Sequence, residues 1–152
     1  MNALACLDLD RGTGEELSLY TTMEPCLMCA STIVMVRIGQ VHYAVADPMF
    51  EGLHEFLTGY PYCAERIPRR YGPLDGPMSV FAGLLPLIFN MTWTPQGRWM
   101  RLHRSLFPDH HRVASDMISS RRLAGLAAQG STVSEAIEEV WEELVSLLRP
   151  ST

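Results

Sequence analysis

Polar and apolar positions first fall into a regular pattern at Leu17-Ser-Leu-Tyr-Thr-Thr22, which alternates and is rich in strand formers. After Glu24-Pro25 comes an almost wholly apolar stretch from Cys26 to Ile38, stopped by Gly39. Pro25 suits the first position of a helix and Gly39 the residue just past its end. A helix apolar nearly all round is expected to be buried rather than to lie on a surface. Val41-His-Tyr-Ala-Val-Ala46 reads as a second strand, ended by Asp47-Pro48. Strand, helix and strand make a βαβ unit over residues 17–47, with the two strands parallel.

The pattern elsewhere is less regular. Residues 1–9 have the loose spacing of the last part of a helix, followed by the turn Asp10-Arg-Gly-Thr-Gly14. Residues 48–77 are punctuated by Pro48, Pro61, Pro68, Pro73 and Pro77, so they are expected to form an irregular loop with a short helix near Phe50–Thr58. Such a long connection is usually functional or inserted. Met78 to Trp93 is strongly apolar and predicts a buried helix that Pro86 would kink. The last third is helical. Asp109 is placed to cap a helix ending near Gly130. Thr132-Val-Ser-Glu135 is a capping-box pattern, and beyond it Ile137, Val140, Trp141, Leu144 and Leu148 share one face that should be buried.

The composition sets bounds on this reading. The chain has 152 residues, 47% hydrophobic and 19% charged, which suffices for a folded core and excludes global disorder. No apolar run reaches the ~18–20 residues of a membrane span, and the Met1 end lacks the layout of a secretory signal. Four cysteines without such a signal do not suggest a disulfide scaffold, so a cytoplasmic protein is expected. The net charge of −5 and the acidic final helix argue against a nucleic-acid partner. Six arginines between Arg98 and Arg122 read better as a solvated face than as an RNA contact.

One segment carries chemistry. In Glu24-Pro25-Cys26-Leu27-Met28-Cys29 two cysteines three apart at a helix start project to the same side. The helix N-terminus favours thiolates, and two thiolates on one turn are half of a tetrahedral zinc site. The spacing alone leaves two other readings open: ordinary buried thiols, or a redox pair.

The run Leu19-Tyr-Thr-Thr-Met-Glu-Pro-Cys-Leu-Met-Cys-Ala30, continued by Val36-Arg-Ile-Gly-Gln-Val-His-Tyr-Ala44, resembles the core of the zinc-dependent nucleoside and nucleobase deaminases. Within that cytidine/deoxycytidylate deaminase-like superfamily it is most similar to the branch of tRNA adenosine deaminases and guanine deaminases. The resemblance covers roughly residues 1–48. It implies a three-layer α/β/α sandwich, here N-terminally incomplete with a helical C-terminal extension: a core over residues 1–93 and an extension over 94–152. It implies Zn2+ as cofactor with Cys26 and Cys29 as ligands, Pro25 shaping the turn, and Glu24 near the helix start. Asp47, where relatives build the substrate pocket, is a candidate substrate contact. The family's third ligand and its proton-carrying Glu stand in a His-x-Glu motif just ahead of residues such as Met-Asn-Ala-Leu. This sequence opens with Met1-Asn-Ala-Leu4, so both are expected before Met1 and neither His42, His54 nor Cys63 stands in their place.

The expected activity is therefore zinc-dependent hydrolytic deamination of a small-molecule nucleobase or nucleoside, with residues 1–152 alone nearly inert. The rival expectation is a non-catalytic deaminase-like subunit. A homodimer is expected in either case.

Overall fold

The computed structural model describes residues 2–7 and 14–148. The turn expected at Asp10-Arg-Gly-Thr-Gly14 lies outside these residues but for Gly14. The fold is mixed α/β, with a small parallel sheet and many helices, in keeping with a cytidine deaminase-like fold. The chain divides into two compact units, Met1–Leu74 and Asp75–Thr152. The division falls ahead of the helix Pro77–Trp93.

In the first unit a short helix α1 (Asn2–Ala5) and a 3-10 turn (Gly14–Glu16) precede β1 (Ser18–Met23), α2 (Leu27–Met35) and β2 (Gln40–Val45). A second 3-10 turn (Pro48–Phe50) and helices α3 (Leu53–Thr58) and α4 (Pro61–Ala64) lead to β3 (Arg69–Tyr71). The order is β1-β2-β3, all parallel, with Tyr20 opposite His42 and His42 opposite Tyr71. The βαβ reading holds. The third strand lies in the segment expected to be irregular; three residues between prolines and glycines carry no readable alternation.

The alternation of β1 and β2 divides the sheet into two faces. Val41 and Tyr43 point to one side, where they form a core with Leu4, Ile33 and Ile38. His42 points to the other, its ring stacked between Tyr20 and Tyr71 at 4.5 and 4.6 Å. The helix α2 is not buried all round, contrary to the sequence expectation. Ile33 and Val34 are enclosed, while Leu27, Met28 and Met35 are exposed, because the helix offers only one face to the sheet.

The end of α2 also differs from expectation. The residue in the left-handed conformation is Arg37 (φ 57°), with Arg37 N–H donating to the Val34 carbonyl and Ile38 N–H to that of Ile33. This is a Schellman closure with Ile33 and Ile38 both buried. Gly39 serves another purpose: a Cβ there would lie 1.9 Å from the Glu15 carbonyl oxygen. Gly14 is bound in the same way, its Cβ meeting the Val36 carbonyl oxygen at 2.1 Å. The backbones of the first 3-10 turn and of the α2–β2 junction touch, and only glycine allows it.

The second unit is helical: α5 (Pro77–Trp93), α6 (Arg98–Leu106), α7 (Pro108–Ser120), α8 (Arg122–Ala128), α9 (Val133–Glu139) and α10 (Trp141–Ser146). The helix α5 runs through Pro86 and buries Val80, Phe81, Leu84 and Leu87, but Phe89 and Trp93 are exposed, so only one face is core. The helix expected from Asp109 to Gly130 starts at Pro108 and breaks at Arg121, which adopts φ 55°. The capping box at Thr132 and Glu135 is present with both reciprocal bonds. The final apolar stripe is divided at Val140. Ile137, Val140 and Leu144 are buried, whereas Trp141 (45% exposed) and Leu148 are not, so enclosure of that whole face does not hold. The break at Val140 turns Trp141 off the buried stripe.

Candidate functional site

The site forms where β1 and β2 end. In a parallel sheet these carboxyl ends are adjacent, which is where open α/β sheets bind ligands. Glu24 follows β1, and its N–H donates to the Val45 carbonyl at 2.8 Å, extending the pairing by one step. Pro25 then holds the preceding residue extended and removes a donor that would have no partner. Cys26 is the N-cap of α2 with extended backbone (φ −64°, ψ 170°). Cys29 follows one turn along.

The two thiols interact directly. Burial pushes Cys26 up, but the backbone N–H of Cys29, the Cys29 thiol and the backbone N–H of Met28 together bring it below the ordinary thiol value, against the nearby charge of Asp47. Cys29 moves the other way, raised by burial and by the hydrogen bond and charge of Cys26. The two thiols are therefore shifted in opposite directions by their contact with each other. Both line a cleft of about 360 Å³ together with Leu4, Leu19, Met23, Glu24 and Asp47.

Asp47 is 6% exposed. Its Oδ1 accepts the Met49 N–H at 2.9 Å, capping the second 3-10 turn, and its own N–H donates to Glu24 Oε2 at 3.1 Å. Glu24 does more than stand near the helix start. Its Oε1 pairs with Arg70 Nη2, and Arg70 also donates to the Tyr43 hydroxyl at 3.2 Å. Arg70 was not anticipated from the sequence. It lies in the unrecognised strand β3, opposite Val41 in the sheet register, 46 residues from Glu24.

The structure brings Glu24, Pro25, Cys26, Cys29 and Asp47 to one cleft. It places His42 between two tyrosines on the other sheet face. His54 lines a separate small pocket with Pro25 and Arg70. Among the described residues no three His, Cys, Asp or Glu side chains converge as a metal site. The paired thiols suit zinc as donors, yet they are half of a shell that needs at least three protein ligands.

With this geometry in view, comparison with known proteins is informative. Residues 1–45 match the model of the cytidine and deoxycytidylate deaminase zinc-binding region. A tRNA-specific adenosine deaminase of Aquifex aeolicus (strain VF5) is 32% identical over 73 residues, 47% of this chain and 48% of that protein. One from Agrobacterium fabrum (strain C58 / ATCC 33970) is 40% identical over 45 residues, 30% of each chain. No solved structure matches the chain significantly. Over residues 1–45, which hold β1, α2 and β2, the chain is thus similar to the zinc-binding region of the cytidine and deoxycytidylate deaminases. The chain spans about half the length of the first of these relatives and less than a third of the second.

Proposed function

We propose that this chain carries the two-cysteine part of a zinc-dependent hydrolytic deaminase acting on a nucleobase or nucleoside. The observation that carries the reading is the Cys26–Cys29 pair, one turn apart at a helix start and lining one cleft within the matched segment. Cys26 and Cys29 would hold the metal, which when bound lowers the pKa of a coordinated water to about 7. Asp47, enclosed and fixed through both its backbone and its side chain, forms the wall against which a substrate is oriented. A third ligand and a proton-carrying carboxylate would have to join Cys26 and Cys29 for this chemistry.

A free nucleobase or nucleoside is favoured over tRNA by the net charge of −5 and by the acidic run Glu135, Glu138, Glu139, Glu142 and Glu143. Solution as a homodimer is supported by the exposed apolar side chains of α2 and by Tyr20, 73% exposed on β1. A clean monomer by sedimentation at tens of micromolar protein would remove the dimer from this reading.

Metal analysis tests the reading directly. After dialysis against a mild chelator, residues 1–152 should retain little zinc. The same chain preceded by the segment encoded upstream of Met1, if this supplies His-x-Glu, should retain about one zinc per chain by tetrahedral coordination. It should also deaminate a nucleobase or nucleoside, and Cys26→Ser should abolish both properties. An extended chain that binds no zinc overturns the deaminase reading. Bound zinc without activity on any base would favour the non-catalytic subunit.

A further inference from the structure

We infer that Arg70 is a positioning residue for the thiolate pair and for Asp47, acting through Glu24; this rests on reading Cys26 and Cys29 as metal ligands. The Glu24 side chain is 13% exposed and its two oxygens serve different strands. Oε2 accepts the N–H of Asp47 beyond β2, and Oε1 takes the guanidinium of Arg70 from β3. One carboxylate thus ties together the ends of β1 and β2 with β3 at the mouth of the cleft.

Enclosing a carboxylate strips it of water, and the partners that replace that water here are the Arg70 guanidinium and the Asp47 N–H. The Asp47 N–H is neutral, so Arg70 provides the charge. Arg70 is itself fixed from a second side, by the Tyr43 hydroxyl and by the Tyr43 ring, whose centroid lies 5.2 Å from the guanidinium carbon. Orientation then passes along a short stiff path. Pro25 restricts both itself and Glu24, so the place of the Glu24 carboxylate fixes where Cys26 leaves the strand. The second path is the hydrogen bond from Asp47 N–H, which places the Asp47 carboxylate in the same cleft as both thiols.

Cadmium(II) is a suitable probe, because a soft cation binds thiolates strongly and gives an ultraviolet sulfur-to-metal charge-transfer band. The band is titrated in the 152-residue chain and in Arg70→Gln, Arg70→Lys, Glu24→Gln and Arg66→Gln. Arg66 pairs with Glu65 and with the carbonyl and ring of Tyr62, away from Glu24, and serves as a nearby control. Arg70→Gln and Glu24→Gln should each weaken cadmium binding by about tenfold, a factor equal to ~1.4 kcal/mol. The double variant should be little worse than either single one, since both break the same path. Arg70→Lys should recover part of the loss, and Arg66→Gln should bind as the parent chain does. Glu24→Gln keeps the shape of the side chain, so it stays informative if Arg70→Gln fails to fold. Unchanged affinity and band in a folded Arg70→Gln, even with a lowered Tm, would make Arg70 a structural residue only and overturn the inference. Absence of the band in the parent chain would instead overturn the thiolate-pair reading, and the inference with it.

Discussion

Among the described residues, the sheet unit encloses five apolar side chains in its core, while the helical unit encloses eleven. The sheet unit makes up part of the difference with charge: Glu24, Arg70 and Asp47 cross-link its strand ends where a larger protein interior would use methyl groups. The helical unit does the reverse. Its buried polar side chains, His103 and His111, lie among Trp99, Phe107 and His110 with ring nitrogens that have no hydrogen-bond partner. In the first unit Glu24, Arg70 and Asp47 are engaged with one another around the candidate chemistry, whereas His42 Nε2 and His54 Nδ1 have no hydrogen-bond partner among the described residues. The buried histidines of the second are tolerated because they are neutral. Burial thus means specificity in one unit and bulk stability in the other.

The largest test of this contrast is truncation of the helical core. Leu87→Ala and Leu144→Ala each remove a fully enclosed side chain and should cost about 2–5 kcal/mol in urea unfolding. A cost under ~1 kcal/mol would mean that the eleven-residue cluster is not what holds this unit together.

Acid should come next. Burial, then the neighbouring charges of His111 and His110, push the His103 pKa down to about 4. His110 is lowered by burial against an opposing effect of Asp109, and His111 by burial, Arg104 and His110. The elements packed on this cluster bring little to neutralise it. The helix α5 contains no ionisable side chain, and the one charge of α8, Arg122, is held by Glu139 and Glu143. The unfolded chain binds a proton near the ordinary value of about 6.5, before the folded form does. The stability from neutral His103 is therefore complete above that value, declines as pH falls towards about 4, and changes no further below it. The loss should approach ~3 kcal/mol for His103 alone. His103→Leu should flatten that part of the profile of unfolding midpoint against pH; an unchanged slope would show that the imidazole is not the group responsible.

Smaller effects refine the comparison at the surface. Thr132→Ala removes the α9 cap and should cost about 1 kcal/mol by thermal unfolding. Arg37→Gly exchanges a strained left-handed residue for a permissive one while losing the ion pair to Glu15. It should raise stability by less than ~1 kcal/mol. A marked fall would mean that the Arg37–Glu15 pair matters more to the sheet unit than backbone strain does.

The parts legible in the sequence were those set by short-range pattern. The strand at Leu19, the helix after Pro25, the strand at Val41 and the box at Thr132 each follow from residues within one or two turns of one another. That Cys26 and Cys29 lie together on one side of the helix start was legible for the same reason. Arg70 was not, because its meaning depends on a partner 46 residues away and on a strand too short to show a period. Gly39 was assigned to the right junction for the wrong cause: the helix closes at Arg37, and the glycine answers to Glu15, a contact that no local rule reveals. Trp141 was misplaced because helical spacing assumes an unbroken helix, and Val140 interrupts it.

The glycine contact between the first 3-10 turn and the α2–β2 junction has a consequence for mutational scanning. In a library covering every substitution, Gly14 and Gly39 should be as depleted as Cys26 and Cys29, since even alanine at either glycine drives a methyl group into a carbonyl oxygen. Intolerance alone would therefore draw four positions as one functional patch, two of them with no chemistry at all. Serine separates them: at the cysteines it should leave the fold and remove the proposed metal donor, whereas at the glycines it should remove the fold.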